Sequence, residues 1–198
     1  MRDLEIRGAG NLLGKEQHGY IDSVGYDLYV KLLNEAVLEE KGEQVREKVE
    51  CVVTLAADAC LPERYVPSAS QRMALYKRIS LIASPGDLDD MTDELLDRYG
   101  DLPRAASNLL KIALIRSLAQ RCGITQIRQD GGDIAICGES LNVEDWLELS
   151  SVFKGKIRMM MSGAPYIRYR PAKATAALPE LLELMLALSN IEKALDKP

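Results

Sequence analysis

Apolar positions are sparse and irregular over the first 24 residues, where Gly8, Gly10, Gly14 and Gly19 punctuate the chain, so this stretch reads as turn and loop. From Tyr26 the pattern changes. Tyr26, Leu28, Tyr29, Leu32, Leu33, Ala36 and Val37 share one half of a helical wheel and Asp27, Lys31, Asn34 and Glu35 the other, which predicts an amphipathic helix. Residues 39–49 are polar or glycine apart from two valines and read as a solvated connector. A domain boundary is placed there, giving a segment 1–49 and a domain 50–198.

Within the domain, Val52, Val53 and Leu55 form a short β-branched run ended near Pro62, which predicts a strand. Met73, Leu75, Tyr76, Ile79, Leu81 and Ile82 recur at helical spacing after Ser68 and Ser70, and Ser84-Pro85-Gly86 closes that helix. A second helix is predicted from Leu88 to Tyr99, with Asp87, Asp89 and Asp90 in its first turn, where negative charge meets the positive end of the helix dipole. Pro103 opens a third helix reaching about Arg121. Its first half carries a polar stripe, Arg104, Ser107, Asn108 and Lys111, while its second half is apolar nearly all round and belongs in the core.

Two β-favouring runs, 124–129 and 133–137, flank Asp130-Gly131-Gly132 and predict a hairpin. A short helix follows over 143–153, then strands over 156–161 and 166–169, then a last helix beginning near Pro179. The expected fold is α+β: a helical hairpin and loop segment, then a compact domain of helices packed on a small, mainly antiparallel sheet.

The 198 residues carry a net charge of −5, and no run approaches the roughly 18 apolar residues of a membrane span. The expectation is a soluble, cytoplasmic protein with no membrane partner. An acidic chain is a poor autonomous, non-specific nucleic-acid binder, because that affinity comes from clustered cations on phosphate. Cys51, Cys60, Cys122 and Cys137 fit neither a zinc knuckle nor a dense disulfide frame, and are expected to be reduced thiols, mostly in the core.

The motifs of common chemistry are also missing. No phosphate loop with its lysine occurs, and Gly8 to Gly14 reads as a turn because its third glycine is one place late for a dinucleotide loop. His18 is the only histidine, which removes His-pair metal sites and most Ser-His or Cys-His arrangements. The acids from Asp87 to Asp101 lack the spacing of a calcium loop and read as a solvated helix face. Catalytic residues, metal ligands and cofactors are therefore not assigned within the chain.

One electrostatic contrast remains. Residues 104–128 and 154–173 each hold several cations and no acid. In the second stretch Lys156 and Arg158, like Arg168 and Arg170, share a strand face by alternation and form the candidate basic surface.

The opening string Arg7-Gly8-Ala9-Gly10-Asn11-Leu12-Leu13-Gly14, continued by Gln17 and Gly19, resembles the translocation motif that RecG shares with the bacterial transcription-repair coupling factors. The continuation favours the coupling factors: Val24-Gly25-Tyr26-Asp27-Leu28-Tyr29, Leu61-Pro62-Glu63-Arg64-Tyr65-Val66-Pro67, Arg72-Met73-Ala74-Leu75-Tyr76-Lys77-Arg78-Ile79 and Glu94-Leu95-Leu96-Asp97-Arg98-Tyr99-Gly100-Asp101-Leu102-Pro103. The resemblance covers about residues 2–125. It implies a C-terminal fragment of a superfamily-2, ATP-dependent DNA translocase that displaces stalled RNA polymerase from duplex DNA and recruits excision repair. Arg7, Gly8, Gly10 and Gln17 would then be translocation-motif residues. The domain after residue 49 would be regulatory, packing on the N-terminal module that binds the excision-repair protein UvrA and masking it. The ATPase motor, with its ATP and Mg, would lie outside this chain, which is expected to be no enzyme itself. The rival expectation is a free-standing nucleic-acid-binding module using 154–173.

Overall fold

The computed structural model describes residues 51–138, 142–161 and 164–195. The translocation-motif positions Arg7, Gly8, Gly10 and Gln17, the helix expected from Tyr26 and the connector lie outside these residues.

The order of elements is β1 (Val52–Thr54), α1 (Ala69–Ile79), α2 (Pro85–Tyr99), α3 (Arg104–Arg121), β2 (Ile124–Asp130), β3 (Asp133–Gly138), α4 (Val143–Val152), β4 (Ile157–Met160), β5 (Tyr166–Tyr169), a 3-10 turn (Ala174–Ala176) and α5 (Ala177–Leu195). The strands form one sheet in the order β1-β2-β3-β5-β4, with β1 parallel to β2 and the other pairs antiparallel. The architecture is α+β.

Helix starts follow local chemistry. Ser84 and Asp87 form a reciprocal capping box and Pro85 occupies the first helical position, where its missing N–H costs nothing. The Ser84-Pro85-Gly86 string therefore starts α2, three residues before the expected Leu88, besides separating it from α1. Likewise α5 begins at Ala177, because Pro179 is tolerated in a first turn and need not be the first residue. Gly100 and Gly123 close α2 and α3 with φ of 80° and 65°, a left-handed conformation that glycine adopts without a Cβ penalty.

The core lies between one face of the sheet and the helices. Ile127, Ile136 and Ile167 stand in register across the three central strands and are fully buried, as are Ile134 and Tyr169 in the next row. Against them pack Leu114, Ile115 and Leu118 of α3, Leu181, Leu184, Met185 and Leu188 of α5, and Trp146 and Leu149 of α4. The apolar second half of α3 is thus central, as its pattern predicts. Helices α1 and α2 add Leu75, Tyr76, Ile79, Met91 and Leu95. The four cysteines are not joined in disulfides, Cys51 and Cys122 being buried, Cys60 and Cys137 half-buried.

Candidate interaction surface

The period of two that buries one face of the sheet exposes the other. Register places Thr54, Arg128, Ala135, Arg168 and Arg158 in one row across all five strands. The adjacent row is Val52, Gln126, Cys137, Tyr166 and Met160. Val52, Thr54, Gln126, Arg128 and Arg158 are exposed. Three arginines thus share one row of a solvent-facing sheet surface, and Arg128, contributed by β2, comes from the 104–128 stretch and not from the 154–173 stretch that holds the other two. Only strand order brings it beside the others.

Arg158 and Arg168 are directly opposite each other on β4 and β5, an arrangement that repels unless a counter-charge is near. Asp133, at the start of β3, supplies it. Arg170 donates to Asp133 through Nε and Nη2 at 2.7 and 2.9 Å, and the Arg168 guanidinium lies 3.9 Å from the same carboxylate. Hydrogen bonding from Arg170, then the charges of Arg170, Arg168 and Arg158, hold the Asp133 carboxyl below the usual carboxylate range. The Arg168 guanidinium also donates to the Tyr166 hydroxyl at 3.3 Å.

Lys156 goes elsewhere. It precedes β4 in a turn, so strand alternation does not extend to it, and its ammonium reaches Glu180 of α5 at 2.9 Å. Glu180 also accepts from the Tyr169 hydroxyl at 3.0 Å and from the Ala172 amide at 3.2 Å. Burial acts against the charged form of Glu180, but the hydrogen bonds from Lys156, Ala172 and Tyr169 outweigh it and its pKa falls. Lys156 is a clamp between the β4 turn and α5, whereas Arg158, Arg168 and Arg170 surround Asp133. The structure brings together three of the four candidate cations.

The acids of α2 behave as expected from the sequence: Asp89, Asp90, Asp93 and Asp97 are exposed. Glu94 instead ties α1 to α2. It accepts from Arg78 on both carboxylate oxygens and from Arg98 at 2.9 Å. Among the described residues, no three His, Cys, Asp or Glu side chains come together as a metal-binding set, and no helix is long and apolar enough to cross a membrane.

Residues 55–145 match the sequence profile of the TRCF domain. Over this stretch the chain belongs to the TRCF domain family. The transcription-repair-coupling factor of Bacillus subtilis (strain 168) is 32% identical over 202 residues, covering 98% of this chain and 17% of the relative. That of Staphylococcus aureus (strain USA300) is 45% identical over 138 residues, covering 69% and 12%. The chain therefore spans less than a fifth of the length of these curated relatives. A crystal structure described as the C-terminal domain of transcription-repair coupling factor superposes with a TM-score of 0.67 at 23% identity, covering 73% of this chain and 95% of that one, a likeness of fold. The TRCF domain match begins beside β1 and ends within α4, so it contains the Arg128 and Asp133 part of the sheet face but not β4 and β5.

Proposed function

We propose that this chain is the C-terminal regulatory part of a transcription-repair-coupling factor, and that its α+β domain docks reversibly on the UvrA-binding module of the same protein and masks it. The observation that carries this reading is the exposed sheet face, where charged and apolar side chains alternate and the cations are partly matched by Asp133. Such a surface suits an interface that must open: obligate contacts bury large apolar areas, whereas intramolecular regulatory contacts are smaller and more polar. Tethering within one chain supplies a high effective concentration, so a modest contact suffices.

In this reading the chain is not itself an enzyme. ATP, Mg, duplex DNA and RNA polymerase belong to the translocase motor of the full-length cytoplasmic protein. Arg7 and Gln17, with Gly8 and Gly10 allowing a tight turn, couple that motor to movement on DNA; a guanidinium with five donors can hold two loops in a closed state. The chain added in trans should compete with UvrA for the isolated UvrA-binding module. Failure to compete at saturating chain concentration would contradict the masking role.

The row of Arg128, Arg168 and Arg158 beside Tyr166 supports a second reading, in which the sheet face binds nucleic acid as a free-standing module. That reading requires duplex-DNA affinity that falls steeply with salt and is lost in Arg128→Glu. Salt-independent or absent binding would dismiss it.

A further inference from the structure

The polar stripe of α3 is used by neither reading, and the fold places it in the wall of a cleft. A cavity of about 850 Å³ opens between the loop after β1, the first half of α3 and the start of α5. Arg104, Ser107, Asn108 and Lys111 line one side of it, and Arg64 reaches it from the loop before α1. Arg104 and Lys111 are two turns apart on one helix face, about 10 Å along the axis. Arg64 and Arg104 are exposed and Lys111 half-buried, and none of the three has an ion-pair partner among the described residues.

Two of the cleft's other polar side chains help build it. Asn108 donates to the Asp58 carbonyl at 2.9 Å, and Gln129 accepts from the Ala56 amide at 2.9 Å, so α3 and β2 together fix the loop that forms the opposite wall. Asp58 is the carboxylate in the lining. Three unpaired cations thus face one acid in a cleft whose backbone walls are held by side chains.

The remaining lining is apolar apart from Thr175, and includes Leu55, Pro62, Leu102, Pro103, Leu178 and Pro179. This separates two classes of polyanion. A nucleic-acid strand offers phosphates that want a continuous run of cations, which three residues spread over two elements do not form. An acidic peptide offers carboxylates for Arg64, Arg104 and Lys111, and apolar side chains for the leucines and prolines between them.

We infer that this cleft is a docking groove for an extended acidic peptide segment of another polypeptide, its carboxylates on Arg64, Arg104 and Lys111 and its apolar side chains against Leu55, Leu102 and Leu178. The groove is formed by other residues than the sheet face, so the inference stands independently of the masking proposal.

The test is fluorescence anisotropy of a labelled synthetic peptide with the repeat Glu-Asp-Leu, titrated with the full 198-residue chain, with amide chemical shifts reporting where it binds. The expected result is saturable binding that shifts amides over 102–111 and 177–179 and weakens about tenfold in Arg104→Glu/Lys111→Glu, while Arg128→Glu on the sheet face leaves it unchanged. Should the double variant fail to fold by circular dichroism, Arg64→Glu/Arg104→Glu, which alters only exposed side chains, gives the same reading. Absent binding, binding indifferent to these reversals, equal loss in Arg128→Glu, or displacement of the peptide from these residues by oligothymidylate would each overturn the assignment.

Discussion

Arg170 grips Asp133 with two parallel N–H···O bonds of 2.7 and 2.9 Å, joining the end of β5 to the start of β3 across the exposed face of the sheet. The pair does more than link strands, because Asp133 is also the counter-charge for Arg168 and Arg158, which stand opposite one another. Asp133→Asn should lower the melting temperature, with a larger loss at low than at molar salt, since the repulsion it uncovers is screened by ions. The Asp133 carboxyl is depressed in the folded state, so its contribution is present above the unfolded pKa and disappears as the pH falls through the lower folded value. Equal melting temperatures for variant and parent at low salt would show that the arginines need no counter-ion.

The Glu94 carboxyl is drawn down to about 2, chiefly by hydrogen bonding from Arg78 and then from Arg98. Its ordinary value is 4.5, so the stabilisation is complete above about pH 4.5 and is lost as the pH falls toward 2. Glu94→Gln should cost about 1 kcal/mol at neutral pH and flatten this part of the stability profile. Urea unfolding across that range checks it; an unchanged slope would remove Glu94 as its source.

Two tyrosines of the 65–99 contact make a matched pair. Their rings lie 5.7 Å apart, but the Tyr65 hydroxyl donates to the Leu95 carbonyl at 2.9 Å with the Gly100 carbonyl at 3.1 Å, while the buried Tyr99 hydroxyl has no hydrogen-bond partner among the described residues. Tyr65→Phe should cost about 1 kcal/mol, and Tyr99→Phe should be neutral or slightly stabilising. Urea midpoints of both variants decide it, and the reverse order would contradict the hydrogen-bond assignment.

Which of these features the sequence disclosed follows from how local each one is. The strand at Val52, the helix from Pro103, the Asp130-Gly131-Gly132 hairpin and the strand Tyr166–Tyr169 are written in nearest-neighbour patterns, and the structure has all four. Boundaries near prolines drifted, because Pro85 and Pro179 sit equally well before or inside a first turn. The parallel pairing of β1 with β2 joins residues more than 70 apart and leaves no local trace. The same holds for the site. Alternation put Arg158, Arg168 and Arg170 on candidate faces, but Arg128 joins them only through strand order, and Lys156 leaves them because it stands in the turn before β4, within reach of Glu180 of α5. The cleft's α3 stripe was visible as a stripe; its opposite wall was not.

The central claim is that residues 50–198 act as a removable mask. A coupling free energy of about 1 to 3 kcal/mol between docked and open states would weaken UvrA binding about 5- to 150-fold in the intact protein. The most direct measurement is the UvrA dissociation constant, at one salt concentration, for the full-length coupling factor and for the same protein truncated after Lys48 of this chain, with both shown to be folded. The account predicts tighter binding by the truncated protein within that range. Equal dissociation constants would contradict it and leave the domain with another partner.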